Sequence, residues 1–121
     1  EPRVLVMDEP TSQLDPSGSR LVFDIMDGLA ARGIAVVVFE HKLELLREDA
    51  DVLHVLADGV IARSGTPRDV LVDPRVEEWG VGATRFTRAA RLAVERKLLP
   101  ASAELPVSLE DAVAVFGTGR R

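Results

Sequence analysis

The chain has 121 residues, 46% of them apolar, with a formal net charge of −5 and no cysteine. That composition fits a globular rather than a disordered chain with one modest core, and it excludes a disulfide framework and a thiolate metal site. No apolar run approaches the length of a bilayer span and no signal-peptide pattern opens the chain, so a soluble, cytoplasmic protein is expected. Charge is uneven: residues 1–83 carry 16 acidic and 8 basic side chains, and residues 84–121 carry 4 acidic and 7 basic. This shift suggests two segments in different surroundings, and the net acidity argues against nucleic acid as a main partner.

Taken in chain order, Val4–Met7 is an unbroken apolar run that predicts a strand buried on both faces. Asp15-Pro16 then opens a helix, with Asp15 able to cap it and Pro16 where its missing N–H costs nothing. Leu21, Ile25 and Leu29, with Val22 and Met26 beside them, predict its apolar face, and Gly33 its stop. Ile34–Phe39 is a second apolar, β-branched run, giving one right-handed βαβ unit with a parallel sheet. A short helix follows from His41 to about Asp49. Val52–Leu56 and Val60–Arg63 flank Asp58-Gly59, a two-residue hairpin signal. Gly65-Thr66-Pro67 starts a short helix through Leu71, and after Asp73-Pro74 the pattern loosens. Thr84–Leu99 reads as a helix with Phe86, Ala90, Ala93 and Val94 on one side and arginines on the other, ended by Pro100. Ser108 and Asp111 have the spacing of a reciprocal cap for a last helix. No repeat or low-complexity segment is present. His54 and the lone Trp79 read as structural residues, Trp79 as a packing anchor between core and tail.

The chemistry concentrates at the end of the first strand. Asp8 and Glu9 are delivered to its carboxyl end, where open parallel sheets place ligands. One such carboxylate can hold Mg²⁺ through its water shell while its neighbour accepts a proton from an attacking water. His41, at the end of the next parallel strand, would face the same crevice. The string Val4-Leu5-Val6-Met7-Asp8-Glu9-Pro10-Thr11-Ser12-Gln13-Leu14-Asp15 resembles the Walker B motif and D-loop of the ATP-binding-cassette (ABC) ATPases, matching at Asp8, Glu9, Pro10, Thr11, Ser12, Leu14 and Asp15. The resemblance covers residues 3–72 well and the tail less closely. It implies an α/β fold, the carboxyl-terminal half of a P-loop NTPase (RecA-like) parallel sheet flanked by helices, with a small helical tail. Residues 1–73 would be the carboxyl half of the ATPase core and residues 74–121 a helical extension. It further implies ATP and Mg²⁺ as cofactors, with Asp8 holding the metal through water and Glu9 as catalytic base. His41 would contact the γ-phosphate, and Ser12 and Asp15 would link two nucleotide sites across a dimer.

Glu40-His41-Lys42 departs from the Thr-His-Asp or Thr-His-Glu pattern of most ABC transporters. Glu-His-Lys followed by Leu-Glu, with Gln13 in the D-loop, is similar to the ATPases of energy-coupling-factor transporters, which import vitamins and transition-metal ions. The partners implied are a second ATP-binding subunit and a transmembrane subunit, at the cytoplasmic face of the membrane. Other readings are a non-transport ABC ATPase of DNA repair or translation, and an inactive half-subunit that only binds partners. The chain contains no G-x-x-x-x-G-K-[ST], Leu-Ser-Gly-Gly-Gln signature or Q-loop. Since the P-loop supplies most phosphate contacts, these residues alone are expected to be inactive. The arginines of 84–99 read as a solvated face or, alternatively, as a contact to the opposite subunit or to acidic headgroups.

Overall fold

The computed structural model describes residues 2–117. The chain divides into two compact units, Glu1–Asp49 and Ala50–Arg121. The expected boundary after residue 73 and the charge shift after residue 83 both fall within the second.

In the first unit, β1 (Val4–Asp8) and β2 (Ala35–Phe39) pair in parallel, in the register Val4↔Ala35 to Asp8↔Phe39. The helix α1 (Pro16–Ala31) joins them, so the expected strand–helix–strand unit is present. Asp15 is its N-cap, accepting from the Gly18 N–H at 2.7 Å, and Pro16 stands at the first position. The chain leaves α1 through Gly33, whose φ of +84° puts it in the left-handed region that favours glycine. The unit closes with α2 (Leu43–Asp49), which buries Leu43 and Leu46 and starts two residues later than the sequence suggests.

One expectation fails here and a second holds only in part. The strands are not buried on both faces. Val4, Val6, Val37 and Phe39 are 45–61% exposed, while the alternate residues Leu5, Met7, Val36 and Val38 are half-buried. A two-stranded sheet with α1 packed against β2 is covered on one side only, so side chains alternate between cover and solvent whatever their hydropathy. The expected apolar face of α1 is buried only in part, at Met26, with Val22 and Leu29 half-buried. Ser19, Phe23 and Met26 are buried, whereas Leu21 and Ile25 are 60% and 56% exposed. Polar tethers select this face. Ser19 Oγ accepts from Lys42 Nζ at 3.0 Å, and the Arg20 guanidinium forks onto Asp49 at 2.7 and 2.8 Å.

The second unit opens with an antiparallel hairpin of β3 (Leu53–Ala57) and β4 (Val60–Gly65). Asp58 (φ +50°) and Gly59 (φ +78°) both take left-handed conformations, as a type I′ turn requires. A bulge at Val55/Leu56 shifts the register. Thr66 caps α3 (Pro67–Leu71), as the sequence suggests. The stretch after Asp73-Pro74, where no periodicity is visible, holds a single turn, α4 (Arg75–Glu78). Trp79 ends that turn with the Arg75 guanidinium 5.3 Å from its ring centre.

Thr84 caps α5 (Arg85–Glu95), which buries Thr87, Ala90 and Ala93. The helix ends four residues before the expected Leu99, because Lys97 turns to φ +59° and the N–H groups of Leu98 and Leu99 both return to Ala93 O. In α6 (Leu109–Gly117) the reciprocal cap forms as read: Ser108 Oγ accepts from the Asp111 N–H, and Asp111 Oδ2 accepts from the Ser108 N–H. Val70, Leu71, Val76 and Ala90 are essentially inaccessible and form the centre of this unit. His54 Nδ1 pairs with Ser64 Oγ across the hairpin at 2.7 Å, consistent with a structural role. Among the described residues no helix is long and apolar enough to cross a membrane.

Candidate functional site

The register of the parallel pair builds the site. Asp8 closes β1 opposite Phe39, so the residues that follow, Glu9 on one strand and Glu40-His41 on the other, leave the sheet side by side. The Glu9 N–H extends the ladder by one bond, donating to Phe39 O at 2.8 Å. Glu9 itself has a φ of +45°, a conformation that costs a non-glycine residue about 1–2 kcal/mol. The turn after it offsets that strain: Ser12 N–H donates back to Glu9 O at 3.2 Å and Leu14 N–H to Thr11 O at 3.1 Å. The result turns the Glu9 side chain toward the neighbouring strand end.

There His41 meets it. His41 Nδ1 lies 3.4 Å from Glu9 Oε1 and 3.7 Å from Glu40 Oε1. The His41 and Glu9 side chains are 68% and 55% exposed, so both are open to a ligand from solvent. Asp8 is exposed at the strand end beside them. Ser12 is exposed in the turn, and Asp15 is exposed while it caps α1. The six-residue spacing from Glu9 to Asp15 thus spans one hydrogen-bonded turn that runs directly into a helix. Asp8, Glu9 and His41 share one edge, while Ser12 and Asp15 lie along the turn leading away from it.

Beneath this edge is a polar cluster that the sequence does not announce. The Glu40 side chain is inaccessible, and its two oxygens accept from Thr11 Oγ1, from the His41 N–H at 2.9 Å and from the Lys42 N–H at 3.3 Å. Burial opposes ionisation of Glu40, but these hydrogen bonds outweigh it and hold the carboxyl below the ordinary glutamate range. Lys42 reaches back across the gap, its Nζ donating to Thr11 O at 2.7 Å and to Ser19 Oγ at 3.0 Å. In the sequence Glu40 and Lys42 stand out only as unusual neighbours of His41. Thr11 and Ser19 are nearly inaccessible; Thr11 appears in the sequence only as a matching position of the motif, without a role, and Ser19 has no signal beyond a hydroxyl on the buried side of a helix.

No group of three or more His, Cys, Asp or Glu residues among those described could cage a metal ion. A magnesium ion does not require one, because it keeps most of its waters and binds through one or two carboxylates plus substrate phosphates. An exposed Asp8 at a strand end, with hard oxygen donors and open solvent, fits that mode.

The same part of the chain is found in known proteins. It is 35% identical over 120 residues to the energy-coupling factor transporter ATP-binding protein EcfA2 of Symbiobacterium thermophilum, covering 96% of this chain and 40% of that protein. The chain is a relative of the ABC transporter ATP-binding proteins. It is also 35% identical over 92 residues to the energy-coupling factor transporter ATP-binding protein EcfA of Methanocaldococcus jannaschii, covering 76% of this chain and 32% of that protein. Among solved structures, an ATP-binding cassette of an ABC transporter in its ADP conformation aligns with a TM-score of 0.61 at 33% identity, over 67% of this chain and 34% of that one. The chain therefore spans two fifths or less of the length of these relatives, and its fold is that of part of an ABC ATPase (P-loop NTPase) domain. No protein-family model matches it.

Proposed function

We propose that these residues form the hydrolytic edge of an ATP-hydrolysing subunit of an ABC importer of the energy-coupling-factor type. The observation that carries this reading is the Glu9 carboxylate set 3.4 Å from the His41 imidazole at the paired carboxyl ends of two parallel strands. That is the geometry in which one group can accept a proton from water while its neighbour contacts a phosphate. Glu9 would orient and deprotonate the attacking water. His41, reached from the next strand, would contact the γ-phosphate and hold the Glu9 side chain in place. Asp8 would hold Mg²⁺ through its water shell. When bound, that ion neutralises charge on the phosphates. Ser12 and Asp15, on the turn leading into α1, would face a second ATP-binding subunit. A transmembrane subunit and a position at the cytoplasmic face of the membrane follow from the same relationship. So does import of a small solute, a vitamin or metal ion. The support is the pair of energy-coupling-factor relatives together with Glu40-His41-Lys42 and Gln13.

The test is Glu9→Gln in the complete subunit. A positioned base contributes about 10²–10⁴ in rate, so turnover should fall by that factor while ATP binding persists. Wild-type turnover in this variant would sink the assignment. The 121 residues by themselves lack the glycine-rich loop and its lysine, and titration calorimetry on them should detect no tight Mg-ATP binding.

A further inference from the structure

Glu40 is a buried carboxylate for which the proposed chemistry has no use. It is the hub of the polar cluster under the site: Thr11 Oγ1 donates to one of its oxygens, and the backbone N–H groups of His41 and Lys42 donate to the other. Lys42 completes the circuit in the opposite direction, from the β2 end to Thr11 O and Ser19 Oγ. The Thr11–Glu40 and Lys42–Thr11 bonds join the loop after β1 to the loop after β2, the Lys42–Ser19 bond reaches the first turns of α1, and the two backbone bonds to Glu40 brace the loop after β2 itself. Thr11 and Ser19 are 0% and 1% exposed, so the circuit lies below the surface on which Glu9 and His41 stand.

The two proposed reacting groups need such a support. Their side chains are more than half exposed, and the strand ladder ends one residue beyond Asp8. With 68% of its side chain exposed, the His41 ring has little packing to fix it against Glu9. What fixes it is the backbone at residue 41, and that backbone is held by Glu40. We propose that Thr11, Glu40, Lys42 and Ser19 form a polar latch that positions His41 against Glu9 by clamping the two strand-end loops together. These are positioning residues, since none of them touches the place where a phosphate or water would react. The inference rests on the reading of Glu9 and His41 given under Proposed function.

The latch is tested by steady-state ATP hydrolysis in the complete subunit, with folding checked by circular dichroism. Misplacing a reacting group by about 1 Å can cost on the order of a hundredfold in rate. Glu40→Ala should therefore lower kcat by about tenfold to a hundredfold and shift KM for ATP by less than about twofold. Glu40→Gln keeps an oxygen for the two backbone N–H groups and should recover kcat to within roughly threefold of wild type. Thr11→Val, nearly isosteric, should lower kcat several-fold, and combining it with Glu40→Ala should cost little beyond Glu40→Ala alone, because both cut one circuit. Should Glu40→Ala fail to fold, Thr11→Val and Glu40→Gln carry the comparison. Additive losses, a loss mainly in KM, or a fall matching only the unfolded fraction would overturn the latch. If Glu9→Gln abolishes turnover while Glu40→Ala keeps the wild-type rate, the latch alone fails. If Glu9→Gln keeps the wild-type rate, the site reading fails and takes the latch with it.

Discussion

Replacing Asp111 with alanine should strip α6 of its start and loosen the second unit. The Asp111 carboxylate accepts from the Val107 N–H at 3.0 Å and the Ser108 N–H at 3.1 Å, and pairs with Arg68 of α3 at 3.1 Å. Hydrogen bonds to a charged group are worth about 1.5–3 kcal/mol each, and an N-terminal cap about 0.5–2 kcal/mol. The side chain is 30% exposed, so solvent pulls these toward their lower ends. Arg68 also keeps Glu104 at 3.0 Å, so its charge is not stranded. Together these place the cost of Asp111→Ala at about 2–4 kcal/mol. Asp111→Asn keeps an acceptor for the backbone N–H groups and should cost only about 1 kcal/mol. The measurement is urea unfolding followed by fluorescence of Trp79, the one tryptophan, which lies in the same unit. The pH dependence supplies a second check. Burial opposes ionisation of Asp111, but the Val107 and Ser108 hydrogen bonds and the Arg68 charge outweigh it and lower its pKa. A carboxyl lowered in the folded state contributes fully above its unfolded value, near 3.9, and loses that contribution as pH falls through the folded value. The gap between wild type and Asp111→Ala should therefore be constant near neutrality and narrow below about pH 4. An Asp111→Ala protein within about 0.5 kcal/mol of wild type, or an asparagine variant as damaged as the alanine one, would refute the reasoning.

Arg20→Ala should raise hydrogen exchange across α1 and α2 by the equivalent of about 1.5–3 kcal/mol, because it strands Asp49, whose side chain is only 12% exposed. Arg20→Lys should recover less than half of that, since an ammonium cannot reproduce the two-pronged contact at 2.7 and 2.8 Å; equal exchange in the two variants would show that the fork is irrelevant. At Gly59, alanine meets no neighbour within 4 Å, so its cost is that of the backbone at φ +78°, about 1–2 kcal/mol. Thermal unfolding followed by Trp79 should show a drop in Tm, and an unchanged Tm would argue against a left-handed residue there. The stripe of Val4, Val6, Val37 and Phe39 should make the 121-residue chain self-associate, and Val6→Lys with Val37→Lys should reduce its apparent mass in light scattering. A monodisperse monomer before substitution would refute this.

The elements themselves were legible wherever local chemistry defines them. Asp15-Pro16, Thr66-Pro67, Thr84 and Ser108 each cap the helix they announce, and Asp58-Gly59 makes its hairpin turn, because caps and tight turns are settled by a few neighbouring residues. Burial was not legible in the same way. A run such as Val4-Leu5-Val6-Met7 records what the strand can tolerate, and which face is covered depends on what packs there. The helix face was legible only in part for a related reason: Met26 is buried as read, but tethers from Lys42 and Asp49, more than twenty residues distant, turn Ser19 and Phe23 inward and leave Leu21 and Ile25 exposed. Of the site residues, Asp8, Glu9 and His41 stood out because carboxylates and imidazole at strand ends are chemically conspicuous. Ser19 did not, and Thr11 stood out only as a motif position without a role, since a buried hydroxyl has meaning only once its partner is known.

The site's dependence on register connects these observations. Side chains alternate along a strand, so sliding β2 by one residue against β1 would bring its end past a different neighbour and reverse the face presented by each side chain. In the observed register Asp8 pairs with Phe39, Glu9 N–H reaches Phe39 O, and the two residues that follow β2 continue its alternation, with Glu40 inward and His41 outward. The buried carboxylate and the exposed imidazole are therefore consequences of one alternation. A slip of one residue would turn Glu40 outward, away from Thr11, and turn the His41 imidazole inward in its place, leaving polar groups without partners at a cost of about 1–3 kcal/mol each. The latch that would hold the proposed reacting pair also penalises the register in which that pair could not form.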